Sequence, residues 1–384
     1  KYPESRPSLI LVRDGLLSSP QLYNAALRGA KDEGGEVISI GIVTTPLFGW
    51  SVSHKKADGG MMITASHNPK EFNGIKFVGR GAISIGESSG LKEISKFVLS
   101  NPTSDSRKGK VRDEDVISEY VDFVTKGVTL GPLRFVLDAS NGTVAKLLEQ
   151  VMERVGDRIS FHRLNWEQDG NFTGHGPDPL AKGATDDAAA KIQEVRAHGG
   201  VVFDADADRI IFLNEKGKII QADYITAFLA SRYLAQHPGR KIVYDIPSSR
   251  IVHETIVSNE GVAVESRVGH SFVKEAMRKE KALFGGEHSG HYFYESMGYS
   301  WADMLPFLDV MAILSREKMP FSVLIKPFQK YVQSGEINLP ISDWVSLKEK
   351  IKSEFKDARL SFLDGISIAY PSWWANVRLS QTEA

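Results

Sequence analysis

The chain has 384 residues, too many for one ordinary core, so two to four domains are expected. Its 47 lysines and arginines against 48 aspartates and glutamates leave a net charge of −1, which excludes a broad basic field for nucleic acid or an anionic membrane. Without cysteine, disulfides and thiolate metal sites are excluded, and no apolar run approaches the roughly 18 residues of a membrane span.

In chain order, one form recurs. "SLILVRD" (8–14), "GGMMITASHNP" (59–69), "LRFVLDASNGT" (133–143), "GGVVFDADADR" (199–209), "KIVYDIPSS" (241–249) and "KALFGGEHSG" (281–290) are short apolar runs ending in polar or Gly-containing turns. Continuous apolar runs suit strands buried on both faces, as in parallel sheets. Helical patterns lie between them. Ser19 before Pro20 predicts a cap and first turn for a helix over about 20–32. Val144, Leu147, Leu148, Val151, Met152 and Val155 form one helical stripe. "DYITAFLASRYLAQHPGR" predicts a helix ended by Pro238-Gly239. Strand–helix alternation argues an α/β fold with ligands at the carboxyl ends of strands, where the polar turns lie. From about 321 onward the alternation loosens, predicting a smaller α+β domain. The sequence opens without an initiator Met and without a signal-peptide pattern, so the native chain is expected to begin earlier.

Asp204, Asp206 and Asp208 gather three like charges that repel unless they are solvated apart or joined by a cation. They occupy positions 1, 3 and 5 of a calcium loop, with Glu215 at position 12. Position 6 holds Arg209 where the sharp turn needs Gly, and the flanks read as strands rather than helices. Three carboxylates on a short loop with open positions suit Mg²⁺ completed by a phosphate oxygen. "TASHNP" (64–69) is the candidate source of that phosphate. Neighbouring Ser66 and His67 are expected to point apart, and the G-x-S-x-G elbow of a hydrolase is missing. A phosphorylated Ser66 would add a near-dianion, to be held by the metal and by cations such as Lys76.

"TASHNPKEFNGIKF", "DADADR", "GGEHSGH" (285–291) and "NVRLSQTEA" (376–384) stand in the order of the α-D-phosphohexomutases, and the chain resembles that family, nearest its bacterial phosphomannomutase/phosphoglucomutase branch. "RDGLLSSP" (13–20) and "NFTGHGPDPL" (171–180) are similar to family segments as well. The resemblance implies an α/β protein of three similar mixed-sheet domains and a fourth α+β domain around a central cleft. The expected divisions are 1–112 with the phosphoserine loop, 113–219 with the metal loop, 220–327 with the sugar loop and 328–384 with a phosphate loop cut short at Ala384.

By the same resemblance Ser66 is the phosphoserine and a metal ligand beside Asp204, Asp206 and Asp208. Lys76 and Arg209 flank the transferring phosphoryl group, with His67 also at the catalytic centre. Glu287 and Ser289 grip sugar hydroxyls, and His270 and His291 lie near the sugar for proton transfer or binding. Arg378, Ser380, Gln381 and Thr382 bind the phosphate that is not transferring. The implied cofactors are Mg²⁺ and a hexose 1,6-bisphosphate. The expected partners are hexose phosphates, without nucleic acid or membrane, for a cytoplasmic monomer or homodimer. Leu16 stands where relatives usually carry Arg, Pro247 where many bacterial relatives carry Lys, and the family's Tyr-Asp-Ile-Arg-Gly segment is not in this sequence. The implied activity interconverts hexose 1- and 6-phosphates of mannose or glucose. The alternatives are a phosphoglucosamine mutase, disfavoured by "SQTE" at 380–383, and a non-catalytic sugar-phosphate binder, disfavoured by the intact serine and aspartates.

Overall fold

A computed structural model describes residues 6–100, 108–156 and 158–379. The first sheet runs Ile83–Ser84, Ile75–Gly79, Gly59–Ile63, Ser8–Arg13, Glu36–Ile42, Lys110–Asp113 across its width. Ser8–Arg13 is parallel to both neighbours, and Gly59–Ile63 turns back antiparallel into Ile75–Gly79. Helix Thr45–His54 packs so closely that a Cβ on Gly60 would lie 2.6 Å from the Phe48 ring. Glycine is therefore a steric requirement at that strand position.

The second sheet runs Ile219–Ile220, Ile210–Asn214, Gly199–Phe203, Leu133–Asp138, Ile159–Leu164. The third runs Val262–Ser266, Lys241–Asp245, Phe284–Gly286, Tyr292–Tyr294, Ser300–Ala302. Both repeat the plan of the first: a central strand between two parallel neighbours, one of which turns back into an antiparallel partner. The turns at 64–74, 204–209 and 287–291 consequently occupy the same topological position in three sheets. Each opens at the carboxyl end of a buried strand, where ligands of open α/β sheets bind. One continuous apolar core runs through all three layers.

The predicted helices appear as Ser19–Asp32, Ala145–Val155 and Ala222–Gln236. One capping expectation fails. Ser19 is the first helical residue, and its hydroxyl donates to Asp14 Oδ1 rather than accepting from the helix. The buried Asp14 carboxylate needs donors, and that demand outweighs a cap on a helix whose first turn is already served by Pro20.

Strands Arg359–Ser361, Ile366–Ala369 and Trp374–Val377 form a small antiparallel sheet covered by helix Trp344–Glu354 around Ile351, Ile366 and Ile368. Arg250 ties it to the third layer by donating to the carbonyls of Tyr370 (2.7 Å) and Trp373 (3.1 Å) while lying over the Trp374 ring. Helix Phe321–Ile325 packs instead on Ala222–Gln236, through Phe321 and Phe228, because its apolar face completes the third layer.

Candidate active site

The aspartate turn lies between two antiparallel strands, not two helices. Ala207 takes a left-handed φ of 58° inside it, and Arg209 N donates to Asp204 Oδ1 at 3.0 Å. All three aspartates are at most 1% exposed, and one oxygen from each falls within 4.8 Å of the others. Asp206 Oδ2 accepts from Thr45 Oγ1 (2.6 Å), Lys76 Nζ (2.7 Å) and Thr64 Oγ1 (3.3 Å). Asp208 Oδ2 accepts from Lys76 Nζ at 2.7 Å. The opposite oxygens, Asp204 Oδ2 and Asp206 Oδ1, are buried without a hydrogen-bond partner, and Asp208 Oδ1 has only His291 Nε2, 3.2 Å away. Such orphaned acceptors facing one point are costly unless a cation sits among them, so the donor set fits a divalent metal ion. Glu215 is no part of it, since it accepts from Ser322 N at 2.9 Å, and the calcium-loop reading fails in the fold as it did in the sequence.

Electrostatics agree. Burial, together with the neighbouring Asp208 and Asp206 charges, pushes the Asp204 carboxyl well above the usual carboxylate range. Burial acts the same way on Asp208, but Lys76 and His291 overcome it and hold that carboxyl well below. Burial alone would weaken the Lys76 ammonium; Asp206 and Asp208 reverse this and raise it above the ordinary lysine value. Asp204 does not share the ammonium that Asp206 and Asp208 share, and a cation at the turn would favour its ionised form.

In the serine turn, Ser66 takes φ 55°, its N–H donates to Thr64 Oγ1 (2.8 Å), and Thr64 in turn donates to Asp206. Ala65 N donates to Asp14 Oδ2 at 3.3 Å. The expectation that Ser66 and His67 point apart is overturned: Ser66 Oγ lies 3.3 Å from His67 Nδ1. Adjacent side chains diverge on extended backbone, and the left-handed residue folds them back together. His67 Nε2 is 3.3 Å from an Arg209 nitrogen, so the serine, histidine and arginine form one row linking the first two sheets. Burial, then Arg209, lowers the basicity of His67 and favours its neutral ring.

The turn at 287–291 is closed by Gly290 at φ 91° and docked on the metal turn through Ile210 N to Gly290 O (3.0 Å). Glu287 Oε1 accepts from Gly269 N at 3.0 Å, and its Oε2 lies 3.1 Å from His291 Nδ1. Ser289 Oγ is 2.7 Å from the same nitrogen. Burial would lower the basicity of His291; the Asp208 carboxylate outweighs it and raises it. His270, with its ring 6.2 Å from that of His291, goes the other way: burial, then Lys274, keeps it neutral.

Arg378 follows the last strand of the small sheet, half-buried and 3.6 Å from Glu336, and Asp364, in the turn between its first two strands, accepts from Val268 N at 2.9 Å. Ser380, Gln381 and Thr382 lie outside the described residues. Leu16 is buried in a small apolar cluster with Ala65, Phe172 and Ala205, and Pro247 is half-buried. The sequence reading passed over Thr45, Asp14, Lys274 and Trp301. Thr45 had a visible signal, because "VISIGIVTTP" (37–46) is another apolar run ending in a polar turn.

Models of the phosphoglucomutase/phosphomannomutase family match three consecutive blocks, alpha/beta/alpha domain I over residues 1–104, domain II over 118–217 and domain III over 221–331. A phosphomannomutase of Escherichia coli is 33% identical over 392 aligned residues, covering 98% of this chain and 86% of that protein. One from Methanocaldococcus jannaschii is 33% identical over 379, covering 98% and 84%. The crystal structure of a phosphoglucomutase/phosphomannomutase family protein from Burkholderia thailandensis matches with a TM-score of 0.90 at 29% identity, over 98% of this chain and 83% of that one. Such relatives are isomerases that act as intramolecular phosphotransferases. The three repeated layers, the small fourth sheet and these matches lead to one conclusion: the chain belongs to the phosphohexomutase family and is a hexose phosphate mutase.

Proposed function

We propose that the chain interconverts hexose 1-phosphate and hexose 6-phosphate, of mannose or glucose, through phospho-Ser66. Asp204, Asp206 and Asp208 would hold Mg²⁺, together with an oxygen of the phosphoserine. When bound, the ion neutralises charge on the phosphoryl oxygens. Lys76 holds Asp206 and Asp208 in place and, with Arg209, flanks the phosphoryl group. Glu287 and Ser289 turn from their present internal partners to sugar hydroxyls, and Arg378 with Ser380, Gln381 and Thr382 receives the distal phosphate. The free sugar hydroxyl attacks phosphorus, the bond from phosphorus to Ser66 Oγ breaks, and the hydroxyl proton passes to neutral His270. Ser66 Oγ regains a proton from solvent water, and His67, whose Nδ1 lies 3.3 Å away, orients that oxygen. The resulting hexose 1,6-bisphosphate turns end for end, and the reverse steps return the other phosphate to Ser66. His291 stays beside Asp208 and Glu287 to bind the sugar.

We take the domains as 1–112, 113–219, 220–327 and 328–384, and the protein as a cytoplasmic monomer or homodimer. The observation that carries the mechanism is the orphaned oxygens of three buried aspartates, joined through Thr64 to the backbone of Ser66. Intact-mass analysis of active protein should find one phosphate per chain, on the peptide containing Ser66. Ser66→Ala should carry none and lose nearly all turnover in a coupled assay on mannose, glucose and glucosamine 1-phosphates. Full activity in that variant, or stoichiometric phosphate elsewhere, overturns the mechanism; preference for glucosamine 1-phosphate overturns the substrate.

A further inference from the structure

Lys274 is buried to 1% exposure and, among the described residues, forms no ion pair. Burying an ammonium without a carboxylate is costly, and a leucine or methionine would fill such a place at less expense. Its Nζ instead donates to Ser84 Oγ at 2.7 Å and sits 3.3 Å from the centre of the Trp301 ring. Ser84 belongs to the first sheet, whereas Lys274 is on helix His270–Glu280 of the third layer. One turn before it on that helix is His270, with its ring 5.0 Å from Trp301; one turn after it, Arg278 donates to Gly81 O at 2.8 Å. His270, Lys274 and Arg278 therefore make a stripe at i, i+4 and i+8, two members of which grip one hairpin of the first sheet. That hairpin carries Lys76. Ser84 pairs with Val78, two residues along the strand from Lys76, whose ammonium is 5.6 Å from the centre of the same Trp301 ring.

We propose that Lys274 is a positioning residue: by clamping Ser84 against Trp301 it holds the Lys76 hairpin in register with the sugar-side helix, so that the phosphoryl-side lysine and His270 keep a set separation. The role of Lys76 and His270 rests on the reading above, whereas the clamp itself is a matter of mechanical coupling between two layers. Phosphoryl transfer depends on placing the reacting groups, and displacements of about 1 Å cost up to about a hundredfold in rate.

The test compares Lys274→Met and Ser84→Ala with the parent in the full-length protein. Lys274→Met removes the buried amino group and keeps the length, so the thermal midpoint should be unchanged or higher. Turnover should nevertheless fall about ten- to a hundredfold with KM within about twofold, and amide exchange should quicken selectively in 75–84. Ser84→Ala should reproduce both effects more weakly. Exchange in 75–84 at the parental rate in Lys274→Met overturns the clamp, as does parental turnover. A lowered midpoint with exchange raised throughout overturns it too, since Lys274 would then merely support the fold, and so does a Ser84→Ala protein without either effect. The exchange measurement needs no turnover, so failure of the parent to convert hexose phosphates would refute the proposed function and leave the clamp to be judged by exchange.

Discussion

The turns at 204–209 and 64–74 have the same place in equivalent sheets and opposite characters. The first buries three carboxylates to at most 1% exposure; Arg209 of the turn itself donates to Asp204, and the other contacts come from neighbours, Lys76 and Thr45 from the first layer and His291 from the third. In the second, Ser66 and His67 are half-buried and the residues from Asn68 to Phe72 are exposed. One scaffold position thus serves two tasks. A site that holds an ion gains from burial, because low dielectric strengthens each contact with the ion. A site that hands over a group must leave its reacting atom reachable, and so contributes little to the core. The difference makes the two turns separable by experiment, one sensitive in stability and the other in activity alone.

The largest effect should come from Lys76→Met, which strips Asp206 and Asp208 of their shared ammonium. Leaving buried carboxylates unpaired costs about 3–5 kcal/mol, so metal-free protein should unfold at markedly lower denaturant, with much of the loss regained on adding Mg²⁺. Chemical denaturation with and without the ion measures this. Equal stability in both conditions would mean that the aspartate turn does not depend on cations.

A smaller, pH-dependent effect is expected beneath the third turn, where Asp245 accepts from His288 N (3.1 Å) and Ser248 Oγ (2.6 Å). Burial, then the nearby Glu287 charge, pushes its carboxyl up from 3.8 to about 7. The folded protein therefore keeps a proton that the unfolded chain gives up. The stabilising contribution is complete below about pH 4, declines as pH rises, and is gone above about pH 7. Across that window the parent should lose stability relative to Asp245→Asn by at most about 1.4 kcal/mol per pH unit. Denaturation midpoints from pH 4 to 8 test the sign; parallel curves would place the titration elsewhere.

The smallest effect should be that of Ser66→Ala on stability. Among the described residues its hydroxyl meets only His67, so the change should stay within about 0.5 kcal/mol although turnover collapses. A loss of several kcal/mol would show the serine turn to be as structural as its aspartate counterpart.

Much of this was legible in the residues. The runs at 8–14, 59–63, 133–138, 199–203 and 241–245 declared buried strands because continuous apolar character has few other uses at that length. The aspartates could be read as a cation site because alternating like charges after a strand have few bland explanations. The cap at Ser19 was misjudged because the demand of Asp14 for donors comes from burial, which local pattern does not reveal. The pairing of Ser66 with His67 was missed because it depends on one residue crossing to positive φ, and serine has no strong preference for doing so.

By itself the sequence determined the α/β alternation, the placing of polar turns after apolar runs, and the chemical identity of each turn. Those are local properties, written in periodicity and residue type. Only the tertiary structure decided that Lys76 would neutralise carboxylates 130 and 132 residues away, that His67 would join Ser66 to Arg209, and that Lys274 would be buried against Trp301 without an acid. Each of these joins separate layers, and their partners are chosen by how the layers pack rather than by anything in the neighbouring residues.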